Sequence, residues 1–180
     1  RYKRFFADIN VNNELITAHC PNTGSMMGLL NKDNEVWVTK SDNPNRKLKY
    51  TLEIIKKEKA LIGVNTHRAN KIVQHGLENN LINEFKKIKL IKPEFKFSKN
   101  TRFDFLCDKK IIEVKNVTLT RENKVAEFPD AITSRGTKHL IKLVDSLKKK
   151  YDPYVLFLTQ IQGIEYFKIA KDIDYNYYEN

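Results

Sequence analysis

Cysteine is scarce: Cys20 and Cys107 are the only two in 180 residues, alongside four scattered histidines. Neither cysteine has the spacing of a metal or redox motif, which argues against a zinc site. At most one disulfide can form, so no disulfide framework holds the fold, and the expectation is reduced thiols in a cytoplasmic protein. No apolar run approaches the roughly 18 residues of a spanning helix, and no signal segment is visible. A membrane is therefore not an expected partner. The loops G-x-x-x-x-G-K-[ST] and G-x-G-x-x-G are both missing, which removes the usual nucleotide cradles. There is no internal repeat, no low-complexity linker, no obvious helix-turn-helix and no array of sugar-stacking aromatics. Arg1 opens the chain inside a run that already reads as structure, so the expectation is a piece of a longer product.

What is abundant is positive charge. Lys and Arg number 33 against 22 Asp and Glu, a formal net charge of +11. The excess is spread along the chain rather than gathered in a tail. Such a balance points to an anionic partner, with nucleic acid first among the candidates.

The pattern of apolar residues changes near residue 60. Before it, "RFFADINV", "ELITAHC", "EVWVTK", "KYTLEII" and "ALIGV" are short, β-rich and partly alternating. Five short strands predict a small barrel over residues 1–62, with a five-stranded OB-like barrel as one candidate and an SH3-like one as another. After it, "ANKIVQHGLENNLINEF" has helical spacing, weakened at Gly76 and interrupted at Asn79-Asn80. Three strands follow in "KIKLIKPEFKF", "RFDFL" and "IIEVKNVTL". A second helix, "TKHLIKLVDSLKKK", carries an apolar stripe through Leu140, Leu143, Val144 and Leu147. The strand "YVLFLTQ" comes next, and "IEYFKIA" reads as another. Residues 63–180 thus predict an α/β domain on a mixed sheet, in the order helix, three strands, helix, strand.

Charges interrupt two of those strands. If "RFDFLC" and "KIIEVK" form a hairpin about Asp108-Lys109, Asp104 falls opposite Glu113 and Arg102 opposite Lys115. Side chains alternate across a strand. Asp104, Glu113 and Lys115 then share one face, and Phe103, Phe105, Cys107, Ile112 and Val114 share the other. Opposed carboxylates repel unless a positive charge lies between them. A divalent cation would resolve this, since Mg²⁺ takes one or two carboxylates with water and phosphate. Lys115 is placed to orient or deprotonate a water, or to stabilise charge on a phosphate. The alternative is a solvated sheet face on which Arg102 and Lys115 simply neutralise the two acids.

Other stretches carry binding candidates. "HCPNTGSM" offers His19, Asn22, Thr23 and Ser25 as a ligand loop or as a structural turn. "SDNPNRKLK" presents Arg46, Lys47 and Lys49 on a loop, with Trp37 and Tyr50 as possible stacking groups. "TSRGTKHL" opens the second long helix, capped by Thr137 or Ser134, and brings Arg135, Lys138 and His139 toward any phosphate there. Arg121 and Lys124 read as backbone-phosphate contacts.

The order of elements and the Asp104, Glu113 and Lys115 set resemble the PD-(D/E)xK nuclease-like fold. More closely, the chain resembles the sugar fermentation stimulation protein A (SfsA) family. "RYKRFFADI", "HCPNTGSMMGL", "SDNPNRKLKYTLE", "GVNTHRAN", "RFDFL", "EVKNVTL", "AEFPDAITSRGTKHL" and "VLFLTQ" match it in order. The resemblance implies an α+β or α/β two-domain protein, an OB-like barrel followed by a mixed-sheet PD-(D/E)xK nuclease-like domain. It implies DNA as partner, with Mg²⁺ or Mn²⁺ if hydrolysis occurs, and Glu94 as a further metal ligand. It is equally compatible with a non-enzymatic DNA-binding transcriptional regulator of sugar metabolism on an inherited nuclease fold. One departure is Gln74-His75, where the family tends to carry Glu-Glu on the first helix.

Overall fold

The computed structural model describes residues 1–180. The chain divides into two compact units. One comprises residues 1–67, 117–131 and 159–170, and the other residues 68–116, 132–158 and 171–180.

The first unit begins with five strands: β1 (Phe6–Val11), β2 (Glu14–His19), β3 (Val36–Lys40), β4 (Tyr50–Lys57) and β5 (Ala60–Gly63). They form one mixed sheet in the order β1-β2-β4-β3, with β5 also on β4. The expected OB-like barrel is therefore not found. β1 and β3 stand at the two ends of this order, and no pairing closes the sheet on itself. The junction explains why. β2 meets β4 only at Ala18 and His19, opposite Tyr50 and Thr51. Alternation in the sequence counts strands, but closure depends on which strand edges meet.

Three later strands make a second sheet in this unit: β9 (Leu119–Glu122), β10 (Val125–Phe128) and β12 (Tyr166–Ile169), in the order β12-β10-β9. Its buried charge is Glu127, whose side chain is 0% exposed. Arg121 donates to both of its oxygens, from Nε at 2.8 Å and Nη2 at 2.7 Å. Those bonds, with Lys168 nearby, hold the Glu127 carboxyl below its ordinary range against the opposing effect of burial.

The second unit is built on β6 (Ile91–Ser98), β7 (Thr101–Cys107), β8 (Lys110–Val117) and β11 (Asp152–Thr159), ordered β11-β8-β7-β6. β6, β7 and β8 are antiparallel. Bonds from Asp152 N to Lys109 O and from Gln160 N to Val117 O show that β11 runs the same way as β8. Helix α1 (Thr66–Glu78) lays Ala69, Val73 and Leu77 on one face, against Phe105, Cys107, Ile112 and Val114. Helix α2 (Ser134–Leu147) lays Leu143 on the other face, against Phe103 and Ile111. Short helix α3 (Tyr175–Glu179) follows, capped by Asp174. The cap of α2 is Thr133, whose side chain accepts from Gly136 N, rather than Ser134 or Thr137.

The β7–β8 turn falls at Asp108-Lys109, with Cys107 opposite Lys110, Leu106 opposite Ile111 and Phe105 opposite Ile112. Asp108 occupies the left-handed region at φ 53°. Its carboxylate accepts from Leu90 N at 3.0 Å and Lys89 N at 3.3 Å, which ties the start of β6 to the same turn. This side-chain role explains an aspartate where a glycine would be easier.

Phe105 is 1% exposed at the centre of the α1-side core. Phe105→Ala is expected to lower stability by about 3–5 kcal/mol. Ile132→Ala, at a 78% exposed position, is expected to change it by less than about 0.5 kcal/mol. Urea unfolding of the two variants beside the parent checks both values.

Candidate metal and nucleic-acid site

The β7–β8 register places Asp104 and Glu113 one position beyond the last paired residues, Phe105 and Ile112. The β6–β7 register places Glu94 across from Asp104, between the pairs Pro93 with Phe105 and Phe95 with Phe103. Three carboxylates thus form one row across three neighbouring strands. All three line a cavity of about 270 Å³ that Lys115, Arg135 and His139 also border.

The two inner carboxylates are treated differently. Glu113, with 6% of its side chain exposed, has Lys115 Nζ at 2.6 Å and His139 Nδ1 at 2.5 Å, both on Oε1. Burial pushes the Glu113 carboxyl up, but the bond from His139 and the charge of Lys115 outweigh it and hold it below its ordinary range. Asp104 has neutral donors instead. Asn70 Nδ2 donates to Oδ1 at 2.7 Å and Val114 N to Oδ2 at 2.6 Å. Burial, then the nearby charge of Glu113, push the Asp104 carboxyl above its ordinary range. Glu94 is exposed, sits at φ 53° and accepts from Arg102 Nη1 at 3.2 Å. No group of three His, Cys, Asp or Glu side chains comes close enough together to hold an ion by itself.

The bond to Val114 N has a structural consequence. The β7–β8 ladder stops at Phe105 and Ile112, and Asp104 takes a backbone donor that a continuing ladder would use. Phe103, expected on the face of Phe105, instead joins Ile111 and Leu143 on the α2 side. Nothing in the sequence pattern marks Asn70. It lies one helical turn before Gln74 on α1, so the same face of that helix does reach the site, through an amide rather than an acid. Gln74 itself donates to Glu78 Oε1 at 2.7 Å.

His139 contacts Glu113, whereas Arg135 and Lys138 are exposed on the first turns of α2. Arg102 pairs with Glu94, Arg121 with Glu127, and Lys124 with Glu165 at 2.6 Å. Arg46 donates to Thr51 Oγ1 at 2.6 Å, while Lys47 and Lys49 are exposed. Trp37 is 39% exposed. In the "HCPNTGSM" loop Asn22 is buried: its Oδ1 accepts from Gly24 N and its Nδ2 donates to Val64 O. Ser25 Oγ donates to Asp130 O and Thr23 is exposed. His19 lies between the rings of Phe5 and His67, and burial, with Arg46 and His67 nearby, lowers its pKa. Cys20 and Cys107 are both buried free thiols, and burial raises Cys107 to about 11. No helix is long and apolar enough to cross a membrane.

Two family models match this chain: the SfsA N-terminal OB domain over residues 1–64, and the sugar fermentation stimulation protein RE domain over residues 67–180. A sugar fermentation stimulation protein homolog from Pelagibacter ubique is 62% identical, covering 100% of this chain and 79% of its own length. One from Pseudoalteromonas atlantica is 44% identical over 98% of this chain and 79% of its own length. The solved structure of Pyrococcus furiosus SfsA in complex with Ca²⁺ shares the fold. Its TM-score is 0.89 over 99% of this chain and 78% of that one, at 22% identity. Matched along nearly its whole length by both family models and by such relatives, the chain belongs to the sugar fermentation stimulation protein family.

Proposed function

We propose that this protein binds DNA and that the row of Glu94, Asp104 and Glu113 serves divalent-cation-dependent hydrolysis of phosphodiester bonds. The observation that carries the reading is the pair of carboxylates, half-buried Asp104 and buried Glu113, side by side on adjacent strands with the Lys115 amine 2.6 Å from Glu113. Two such groups repel, and the charge of Glu113 adds to burial in shifting Asp104 upward. Their oxygens are the hard ligands that Mg²⁺ or Mn²⁺ prefers, and two carboxylates suffice where phosphate and water complete the shell. The Ca²⁺ complex of the Pyrococcus furiosus relative supports a divalent ion in this family.

Asp104 and Glu113 would hold the ion, with Glu94 as a further oxygen. When bound, it would supply Lewis-acid polarisation of the phosphodiester and a lowered pKa for water. The chain's own groups do the rest. Asn70 and Val114 N orient the Asp104 oxygens, and His139 orients Glu113. Lys115, once it leaves Glu113, is available to deprotonate or orient water, or to stabilise charge on phosphate. Arg135 and Arg102, at the rim of the same cavity, present cations to flanking phosphates.

A second reading is a non-enzymatic DNA-binding regulator. The ion pair of Lys115 with Glu113 favours it, because that amine already neutralises one carboxylate, and His139 occupies the same oxygen. Cleavage separates the two. Wild-type protein is expected to nick or degrade DNA with Mg²⁺ or Mn²⁺, with single- and double-stranded DNA and RNA as the substrates compared. Asp104→Ala and Lys115→Ala are each expected to lose at least about 100-fold in rate. Equal activity in wild type and both variants would remove the site. No cleavage of any substrate, with salt-sensitive DNA binding intact, would leave the regulator.

The two carboxyls predict a pH profile. Glu113 is held low and stays ionised through mildly acidic conditions. Asp104 is shifted upward from 3.8, so its protonation comes first as pH falls. Mn²⁺ affinity is therefore expected to fall about tenfold per pH unit on a single-proton acid limb that begins above pH 3.8. Calorimetric titration across pH reads both the limb and the proton released per ion.

Glu94 predicts a trade-off. A glutamate in the left-handed region is strained by roughly 1 kcal/mol, and its exposed pair with Arg102 contributes little. Glu94→Gly is expected to keep or slightly raise the melting temperature while weakening Mn²⁺ binding about tenfold. A loss of stability without a change in Mn²⁺ affinity would make Glu94 structural only.

A further inference from the structure

Beside the carboxylate cavity lies a larger one, of about 590 Å³, bounded by the β6–β7 turn and the first turns of α2. The two share Arg102, Arg135 and His139 in their walls. Six of the residues lining the larger cavity are cations: Lys96, Lys99, Arg102, Arg135, Lys138 and Lys142. No acidic side chain lines it. Arg102 is paired with Glu94 and Lys142 with Asp145. Lys96, Lys99, Arg135 and Lys138 are exposed and have no carboxylate partner. On α2, positions 135, 138 and 142 recur at helical spacing and so share one face. On the hairpin, Lys96 and Lys99 approach the same space from the sheet.

A solvated surface normally mixes the two signs of charge. Here like charges from two separate elements converge on one concavity without acids between them, at the mouth of a site read as acting on phosphodiesters. Like charges so placed repel, and a polyanion relieves the repulsion while releasing its own counterions. A single small anion would leave most of these cations unmatched, because they are spread along the hairpin end and nearly two turns of helix. Ser98, Asn100 and Thr101, also in the wall, add neutral donors of the kind that contact phosphate oxygens.

We propose that this groove seats the DNA backbone next to the hydrolysed bond, with Lys96, Lys99 and Lys138 each neutralising one phosphate. The inference rests on the hydrolytic reading for the identity of the neighbouring site, but it makes a separate claim about binding. The strand leaves the carboxylates past Arg135 and His139 and continues over the β6–β7 turn. The substrate class is then a polynucleotide that extends beyond the reacting bond, not a mononucleotide or a terminal phosphate alone.

The test is the salt dependence of binding, measured by anisotropy of fluorescein-labelled DNA in a chelator so that no hydrolysis intervenes. Single-stranded and duplex forms are titrated separately from about 50 to 200 mM salt. For Lys96→Ser/Lys99→Ser/Lys138→Ser, the slope of log affinity against log salt is expected to shrink by about 2 on single strands or nearly 3 on duplex. The form that shows the change is the form that occupies the groove. The control is Lys86→Ser/Lys87→Ser/Lys89→Ser, with the same charge change on the loop before β6, and its slope is expected to match wild type. Lys138→Glu alone, with a wild-type melting temperature, gives a second reading and is expected to shrink the slope by at least about 1. An unchanged slope in both groove variants, or an equal change in the control, overturns the proposal. An unchanged slope with metal-dependent cleavage intact overturns the groove alone. A reduced slope without any cleavage supports the groove and removes only the hydrolytic reading.

Discussion

A slip of one residue between β7 and β8 would send Asp104 and Glu113 to opposite faces of the sheet, and no shared site would exist. The turn at Asp108-Lys109 prevents that slip. The Asp108 carboxylate accepts from the backbone of Leu90 and Lys89, so one side chain ties the start of β6 to the hairpin that joins β7 and β8. Three strands are thereby held in mutual register from a single corner. Everything at the other end follows from it: the row of Glu94, Asp104 and Glu113, and the cavity they share.

That row holds three like charges, and the protein manages each by a different means. Glu113 is neutralised by Lys115 and hydrogen-bonded to His139. Asp104 is solvated by an amide and a backbone N–H, which satisfy its oxygens without cancelling its charge. Burial, and then the charge of Glu113 beside it, raise its pKa. Glu94 stays exposed, where water screens it. Such asymmetry between neighbouring carboxylates is typical of sites whose groups have separate tasks. It also keeps the sheet intact, since two fully buried and unpaired carboxylates would be far more destabilising than one.

Much of this site is legible in the order of residues alone. The hairpin centre and the shared direction of Asp104 and Glu113 come from alternation and spacing, whereas β9 and β10, which stand between β8 and α2, go unread there. Other features are hidden because they depend on contacts distant in sequence. Phe103 leaves the face of Phe105 where Asp104 captures the Val114 amide, an exchange that period-two reasoning does not anticipate. On α1 the family resemblance singles out Gln74-His75, whereas Asn70 makes the contact, because the position of the helix along its axis decides which turn meets the site. His139 reads as a phosphate contact, and its bond to Glu113, 26 residues away, is not marked by any spacing. Asn22 reads as a ligand group and is bonded within the first unit, to Gly24 in its own loop and to Val64 just after β5.

The sequence by itself determined the local elements, the excess of positive charge, the hairpin and the acidic residues within it. Each depends on neighbours within a few positions, where spacing translates directly into direction. The tertiary structure alone decided that the five N-terminal strands stay an open sheet. It also decided that Asp104 and Glu113 have different partners, and that cations of the β6–β7 turn and α2 converge on one groove. Those outcomes depend on which edges and faces meet across long stretches of chain, and periodicity carries no record of that.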